Sequence, residues 1–185
     1  MAPGTVTNTV EWLEKQDMVT HRPYKGVKLT QKGQKIALQV IRKHRLSERL
    51  LVDILHMEKD KAHDAACKLE HSITNEMIKS LEEALRHPKT CPHGNPIPSE
   101  SGEIIEEKSL PLLELAVGEQ GIIAKITEER YDLLHYLDKL GLVPKTSIEI
   151  LEKAPFNGPI TIKIGSTNHA ISPAIASIIQ VKRAK

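Results

Sequence analysis

Cysteine is scarce in this chain, with only two among 185 residues. That is too few for a disulfide framework, and in a reducing compartment a thiol near histidines is better read as a metal ligand. Charge of one sign is lacking too. Against 26 basic residues stand 24 acidic ones, a formal net charge of +2, so net charge alone gives no ground for nucleic-acid binding and any basic surface has to be local. No stretch reaches the apolar length of a membrane span, and the opening Met-Ala-Pro-Gly-Thr lacks the charged and apolar regions of a secretory signal. The expectation is a folded cytoplasmic protein with no membrane partner. An apolar content of 39% is enough for cores, and the length suits two small domains or one compact domain with an appendage.

The pattern along the chain divides it. Val6, Val10 and Leu13, with Trp12 beside them, predict a short amphipathic helix over Thr5 to Gln16, opened by Pro3 and Gly4. Alternation around Pro23 and Lys25-Gly26 then predicts a hairpin. Thr30 precedes a long helical pattern from Gln31 to Leu55, and Lys59 to Arg86 resumes it, with a break near Ser72 where Thr74 caps a further helix. The segment "HPKTCPHGNPIPSESGE" is dense in proline and glycine and reads as a linker or surface crossing. From Leu110 onward, "GIIAKI", "SIEILEK", "ITIKIG" and "IIQVKR" predict short strands, with one helical insert at "YDLLHYLDKLG", in a small barrel or sandwich.

Between His44 and His71 the chain gathers His44, His56, His63, His71, several glutamates and Cys67. His44 and Glu48 stand four apart on one helix face; Cys67, Glu70 and His71 share another by their three- and four-residue spacings, with His63 a turn before Cys67. Taken alone, the His44–Glu48 pair is ordinary helix-surface chemistry and Cys67 an ordinary small core residue. The joint pattern favours two adjacent metal sites: His44, Glu48 and His63 for one, and Cys67, Glu70 and His71 for the other. His56, at a helix end without a partner at ligand spacing, stays outside both. Neither trio is a closed structural zinc pattern, and open sites of mixed nitrogen, oxygen and thiolate donors suit a reversible sensor of Fe(II), Co(II), Ni(II) or Zn(II). No His-Glu-x-x-His segment and no nucleophile beside an open metal position is evident, so an enzyme is not expected.

"RKHRLSERLL", "HDAACKLEH" and "GNPIP" resemble, in order and spacing, the diphtheria toxin repressor family of iron-dependent transcriptional regulators, and the likeness spans essentially the whole chain. It implies a mainly α N-terminal part, made of a partial winged helix-turn-helix (residues 1–38) and a helical metal-binding and dimerisation domain (39–90). A proline-rich linker (91–109) and a small all-β SH3-like barrel (110–185), like that of ferrous-transport accessory proteins, would follow. It implies further that Cys67, Glu70 and His71 form an activating site, and that His44, Glu48 and His63 form an ancillary site completed by Glu128. Tyr131 stands where a glutamine ligand is expected. Fe(II) is the implied corepressor, since a cysteine at position 67 resembles the iron-responsive branch, with Co(II), Ni(II), Zn(II) or Mn(II) as substitutes.

The same resemblance implies a homodimer on a palindromic double-stranded operator. Pro3, Gly4, Thr5, Thr7 and Asn8 would lie in the first turn of a recognition helix, with Thr7 and Asn8 nearest base edges, while His21, Arg22, Lys25 and Lys28 in the wing would touch the DNA backbone. Family members carry further helices before this point, including the one that gives the activating site its methionine or acidic ligand, so a start placed too late is expected. A shortened, DNA-inactive, metal-linked interaction module is the alternative reading.

Overall fold

The computed structural model describes residues 3–184. Helix α1 (Pro3–Lys15) packs on a hairpin of β1 (Val19–Arg22) and β2 (Gly26–Leu29), whose register runs from Val19 opposite Leu29 to Arg22 opposite Gly26. The reversal uses left-handed backbone at Tyr24 (φ 61°) and Gly26 (φ 83°). Three helices come next, α2 (Gln31–Arg49), α3 (Lys59–Leu69) and α4 (Asn75–Ala84). Thr30 caps α2 by accepting from Gly33 N–H, and Thr74 caps α4 by accepting from Met77 N–H. The long helical pattern does not run unbroken to Leu55. Beyond Arg49 the helix widens into a π-helical turn at Leu50–Ile54, a local expansion that recurs beside functional sites.

The C-terminal part is a six-stranded sheet in the order β3-β8-β4-β5-β6-β7, every neighbouring pair antiparallel. Its strands are β3 (Leu110–Pro111), β4 (Gln120–Ile126), β5 (Ser147–Lys153), β6 (Ile160–Ile164), β7 (Thr167–Ile171) and β8 (Ile179–Arg183). Helix α5 (Tyr131–Lys139) connects β4 to β5, and α6 (Pro173–Ile178) connects β7 to β8. Inward-facing Ile123, Ile148, Ile150, Ile162 and Val181 are almost wholly removed from water, the alternation expected of a sheet with one face covered. The expected barrel is not closed: β3 and β7 end the strand order, and no pairing joins them among the described residues. α1 and the hairpin are the helix and wing expected of the partial winged helix-turn-helix, and a complete helix-turn-helix is not formed among the described residues. No described helix is long and apolar enough to cross a membrane.

The segment read as a linker is packed where it matters. Cys91, His93 and Asn95 are 1%, 5% and 6% exposed. Proline and glycine deny this stretch a helix or strand, so its backbone oxygens need other partners. Three arginines on α2 supply them. Arg42 donates to Pro98 O at 2.6 Å, Arg45 to Pro96 O, and Arg49 to Thr90 O at 2.6 Å and Cys91 O at 3.3 Å. On its other side, His93 O accepts from Ile126 N–H at 3.0 Å. Arg49→Met removes two of these donors from a partly buried loop, and a loss of about 1–3 kcal/mol is expected in urea unfolding. Unchanged stability would show that the arginines do not hold it.

Candidate metal centre

Four segments converge: the C-terminal half of α2, the middle of α3, the 91–95 loop and the turn between β4 and α5. The amphipathic pattern of α2 directs His44 and Glu48 inward, one helical turn apart. His44 is 9% exposed and Glu48 is fully buried. Glu48 Oε1 lies 3.2 Å from His44 Nε2, 3.1 Å from His63 Nδ1 and 3.4 Å from His93 Nδ1. The other face of the His44 ring meets Glu70, with Nδ1 to Oε2 at 2.8 Å. A neutral imidazole that donates through Nδ1 to Glu70 leaves Nε2 as a lone pair for a metal, and the carboxylate fixes that tautomer and raises its basicity. Cys67 Sγ sits 3.9 Å from both His44 Nδ1 and His63 Nε2.

Three sets of side chains bring one ligand atom each within 4.8 Å of one another: His44, His63 and Cys67; His44, Glu48, His63 and Glu129; and Glu48, Cys91, His93 and Glu129. The expected ancillary trio is therefore brought together. The expected activating trio is not. Helix α3 ends at Leu69, so His71 lies past it in a turn, its side chain 77% exposed and 3.6 Å from Glu70; the helical spacing that would have aligned it with Cys67 no longer applies. Cys67 meets His44 and His63 instead.

The carboxylate from the C-terminal part is Glu129, not Glu128. Glu129 accepts a 2.5 Å hydrogen bond from Asn95 Nδ2, and the same amide group donates to Ile126 O at 2.7 Å, tying the turn to the loop. Glu128 turns outward to Arg130 at 3.1 Å. Tyr131 opens α5 and stacks on His135, with ring centroids 5.8 Å apart. Cys91, His93 and Glu129 were not foreseen. The signal for the first two is the Cys-x-His pair in "CPHG", which lies inside the segment read as a linker.

The electrostatics fit a cation. Burial pushes the Glu48 carboxyl up, but contacts with His44, His63 and His93 outweigh it and hold the group well below the usual carboxylate range. Burial lowers His44, and Glu48 and Glu70 together reverse this, so its value is raised. Cys91 is raised well above the ordinary thiol by burial first and then by Glu48 and Glu129. Cys67 is raised by burial and by Glu70, Asp64, Glu48 and Glu129. Among the described residues, the buried side-chain atoms with no hydrogen-bond partner are Glu48 Oε2 and both ring nitrogens of His93. All three belong to this cluster. Buried polar atoms without partners are costly, and imidazole, carboxylate and thiolate are the donors that later divalent transition metals take.

The sequence pattern of the iron dependent repressor metal binding and dimerisation domain matches residues 30–99, and that of the FeoA domain matches residues 110–183. The iron-dependent repressor IdeR of Mycobacterium leprae is 30% identical to this chain over 191 residues, which cover 97% of this chain and 83% of that protein. The chain belongs to the iron-dependent repressor family. Another relative, the diphtheria toxin repressor of Corynebacterium glutamicum, is 42% identical over 100 residues, 54% of this chain and 43% of its own. A solved manganese-dependent transcriptional repressor complex with manganese aligns over 100% of this chain and 86% of its own, with a TM-score of 0.90 and 28% identity. The family's helical and sheet parts thus correspond to the two halves described above.

The remaining expected residues lie at the far N-terminal end. Gly4, Thr5, Thr7 and Asn8 occupy the first turns of α1 and are exposed; the side chain of Pro3 lies outside the described residues. Arg22, Lys25 and Lys28 are exposed on the hairpin and line one shallow concavity with Thr20 and Gly26.

Proposed function

We propose that this chain is a metal-dependent, DNA-binding transcriptional repressor of metal homeostasis, acting in the cytoplasm as a homodimer on a palindromic operator, with Fe(II) as corepressor. The observation that carries this reading is the buried donor cluster, which holds, among the described residues, the buried side-chain atoms without a hydrogen-bond partner, all of them metal-ligating ones. Its two cysteines favour Fe(II), Co(II), Ni(II) or Zn(II) over Mn(II), although a relative in the family is manganese-dependent.

Glu48, His44, His63, Cys91, His93 and Glu129 would hold the metal, and Cys67, Glu70 and His71 are the residues proposed for the activating site. A bound divalent ion would supply the positive charge that offsets the carboxylates and the thiolates formed as the cysteines lose their protons. The ligands come from four segments, so holding them together fixes α2 against α3, the loop and the turn before α5. Helix α2 carries that constraint outward. At its first turn Gly33 abuts the hairpin so closely that a Cβ there would lie 1.9 Å from Met18 O. From Gly33 to His44 and Glu48 is roughly 16–22 Å at the helical rise. One rigid element therefore links the metal ligands to Arg22, Lys25 and Lys28, whose charges suit phosphate, and to Thr5, Thr7 and Asn8 on α1, short side chains suited to base edges. In a two-fold dimer the paired heads would meet half-sites about one helical turn or more apart.

Fluorescence anisotropy of labelled promoter DNA from the protein's own gene neighbourhood, anaerobic and at one stated salt concentration, tests this reading. Selective binding with Fe(II) and its loss with chelator are expected. No selective binding in either condition contradicts the reading and leaves the metal-linked interaction module.

Proton competition gives a second expected outcome. Cys91 and Cys67 are protonated in the metal-free protein over the neutral range, so each thiol that ligates must release a proton. Metal affinity should therefore rise with pH, by about tenfold per pH unit for each proton displaced, as read by competition against a chromophoric chelator from pH 6.5 to 8.5. A flat profile would mean that neither thiol ligates.

A further inference from the structure

Helix α3 serves two neighbours along one stripe. Asp60, His63 and Cys67 follow one another at three- and four-residue spacing. His63 and Cys67 belong to the donor sets, while Asp60, one turn earlier, meets the sheet half. Its Oδ2 accepts from His135 Nδ1 of α5 at 2.5 Å, and its Oδ1 accepts from the Lys61 N–H at 2.9 Å. The Asp60 side chain is 7% exposed, and a carboxylate so far from water needs such donors. Among the described residues His135 is its ion-pair partner, because the neighbouring Lys61 pairs with Glu58. One turn before His135 on α5, Tyr131 stacks on the imidazole with the ring planes 11° apart.

This contact bears on Glu129, the donor that the sheet half gives to the cluster. Glu129 lies two residues before α5, so whatever fixes the first turns of α5 fixes the turn that carries it. In the metal-free chain its place is unfavourable: one of its carboxylate oxygens lies within 4.8 Å of one from Glu48, and two anions that close repel. No lysine or arginine pairs with Glu129 among the described residues. The Asn95 amide holds the carboxylate, but Asn95 belongs to the 91–95 loop and not to the helix that presents His63 and Cys67. The bond between Asp60 and His135 joins that helix directly to α5. Neither residue is in any donor set, and Asp60 sits in the first turn of α3, where a negative charge suits the helix end.

We infer that His135 is a positioning residue for metal binding: through its bond to Asp60 it clamps α5 onto α3 and holds Glu129 at the cluster before an ion arrives. The inference rests on the metal-binding reading given above. The cost of ordering the turn is then met in the metal-free fold, and the ion finds its donors already assembled.

The test is an anaerobic Co(II) titration of the metal-free full chain, with affinities from competition against a chromophoric chelator, for wild type, His135→Ala, Glu129→Ala and the double variant. His135→Ala should weaken cobalt binding by about 10-fold or more, the scale of a partner that orients a ligand. In the Glu129→Ala background the same change should cost less than about twofold, since the residue it positions is gone. His135→Asn, whose amide can still donate to Asp60, should recover most of the affinity. Hydrogen exchange of the metal-free proteins supplies a readout without metal: in His135→Ala the amides of residues 127–139 should exchange faster while β5 and β6 keep their protection, which also shows that the sheet remains folded. Equal cobalt affinity in wild type and His135→Ala overturns the inference and leaves the metal reading intact. So does a loss of the same size with and without Glu129, which would make the pair a general stabiliser. Absence of tight cobalt binding by the wild-type chain overturns the inference and the metal reading together.

Discussion

Glu48→Ala should weaken metal binding at the cluster by more than about 100-fold. Partners that merely orient a ligand are worth about 10–100-fold in affinity, and Glu48 belongs directly to two of the three donor sets. Its removal also takes the anion from among three imidazoles. The metal-free protein should be destabilised as well, by less than the about 3–5 kcal/mol seen when a buried ion loses its partner, because an imidazole can shed its proton. The pH dependence fixes the cause. His44 has a raised value in the fold, from an ordinary 6.5, so what Glu48 contributes through it is fully present below that ordinary value and is lost as pH rises through the folded one. The stability difference between wild type and Glu48→Ala should therefore be greater at pH 5.5 than at pH 8.5. Equal differences would mean that the histidine does not share the carboxylate's charge.

Gly94→Ala is the second large effect, and it acts without touching a ligand. Gly94 has φ +86°, a left-handed conformation that costs an L-residue about 1–2 kcal/mol. A Cβ at that position would also stand 2.1 Å from Ala124 O, a backbone atom in β4 that cannot swing aside. The register of β4 against β8 shifts between Ile123 and Lys125, and the loop descends onto the sheet at that irregularity. The added methyl must lift the loop, and with it Cys91, His93 and the Asn95 amide that holds Glu129. In an anaerobic Co(II) titration of the full chain, loss of the Cys91 contribution to the thiolate-to-cobalt charge-transfer band and weaker cobalt binding are expected. A wild-type spectrum would show that the loop adapts and that its close seating on β4 is not needed.

Much of this was legible in the sequence, for reasons that differ by element. Thr30 and Thr74 announced their helices because a capping hydroxyl acts locally. The strand runs "GIIAKI" and "SIEILEK" stood out because one face of each is buried and the alternation survives in the residue order. β7, "TNHAI", lacks that contrast, since only Ile171 of its five residues is buried. Among the metal residues, His44, Glu48 and His63 were readable because four-residue spacing on α2 and a facing histidine on α3 need only helical geometry. His71 failed because α3 ends two residues before it. Cys91, His93 and Glu129 depend on tertiary contacts, arginine donors reaching across from α2 and an amide bridging loop to turn, which no local pattern records. The choice of Glu129 over Glu128 turns on where the backbone enters α5, a boundary that sequence patterns place only to within a few residues.

Linkage offers the most direct test of the account, since metal that tightens DNA binding must be tightened by DNA to the same factor. Fe(II) affinity should be measured anaerobically by chelator competition, with and without saturating promoter DNA, and set beside the DNA affinities measured with and without Fe(II). The account predicts tighter Fe(II) binding in the presence of DNA, by the same factor as the gain in DNA affinity, and loss of both gains in Glu48→Ala. Fe(II) affinity that is identical with and without DNA would contradict it.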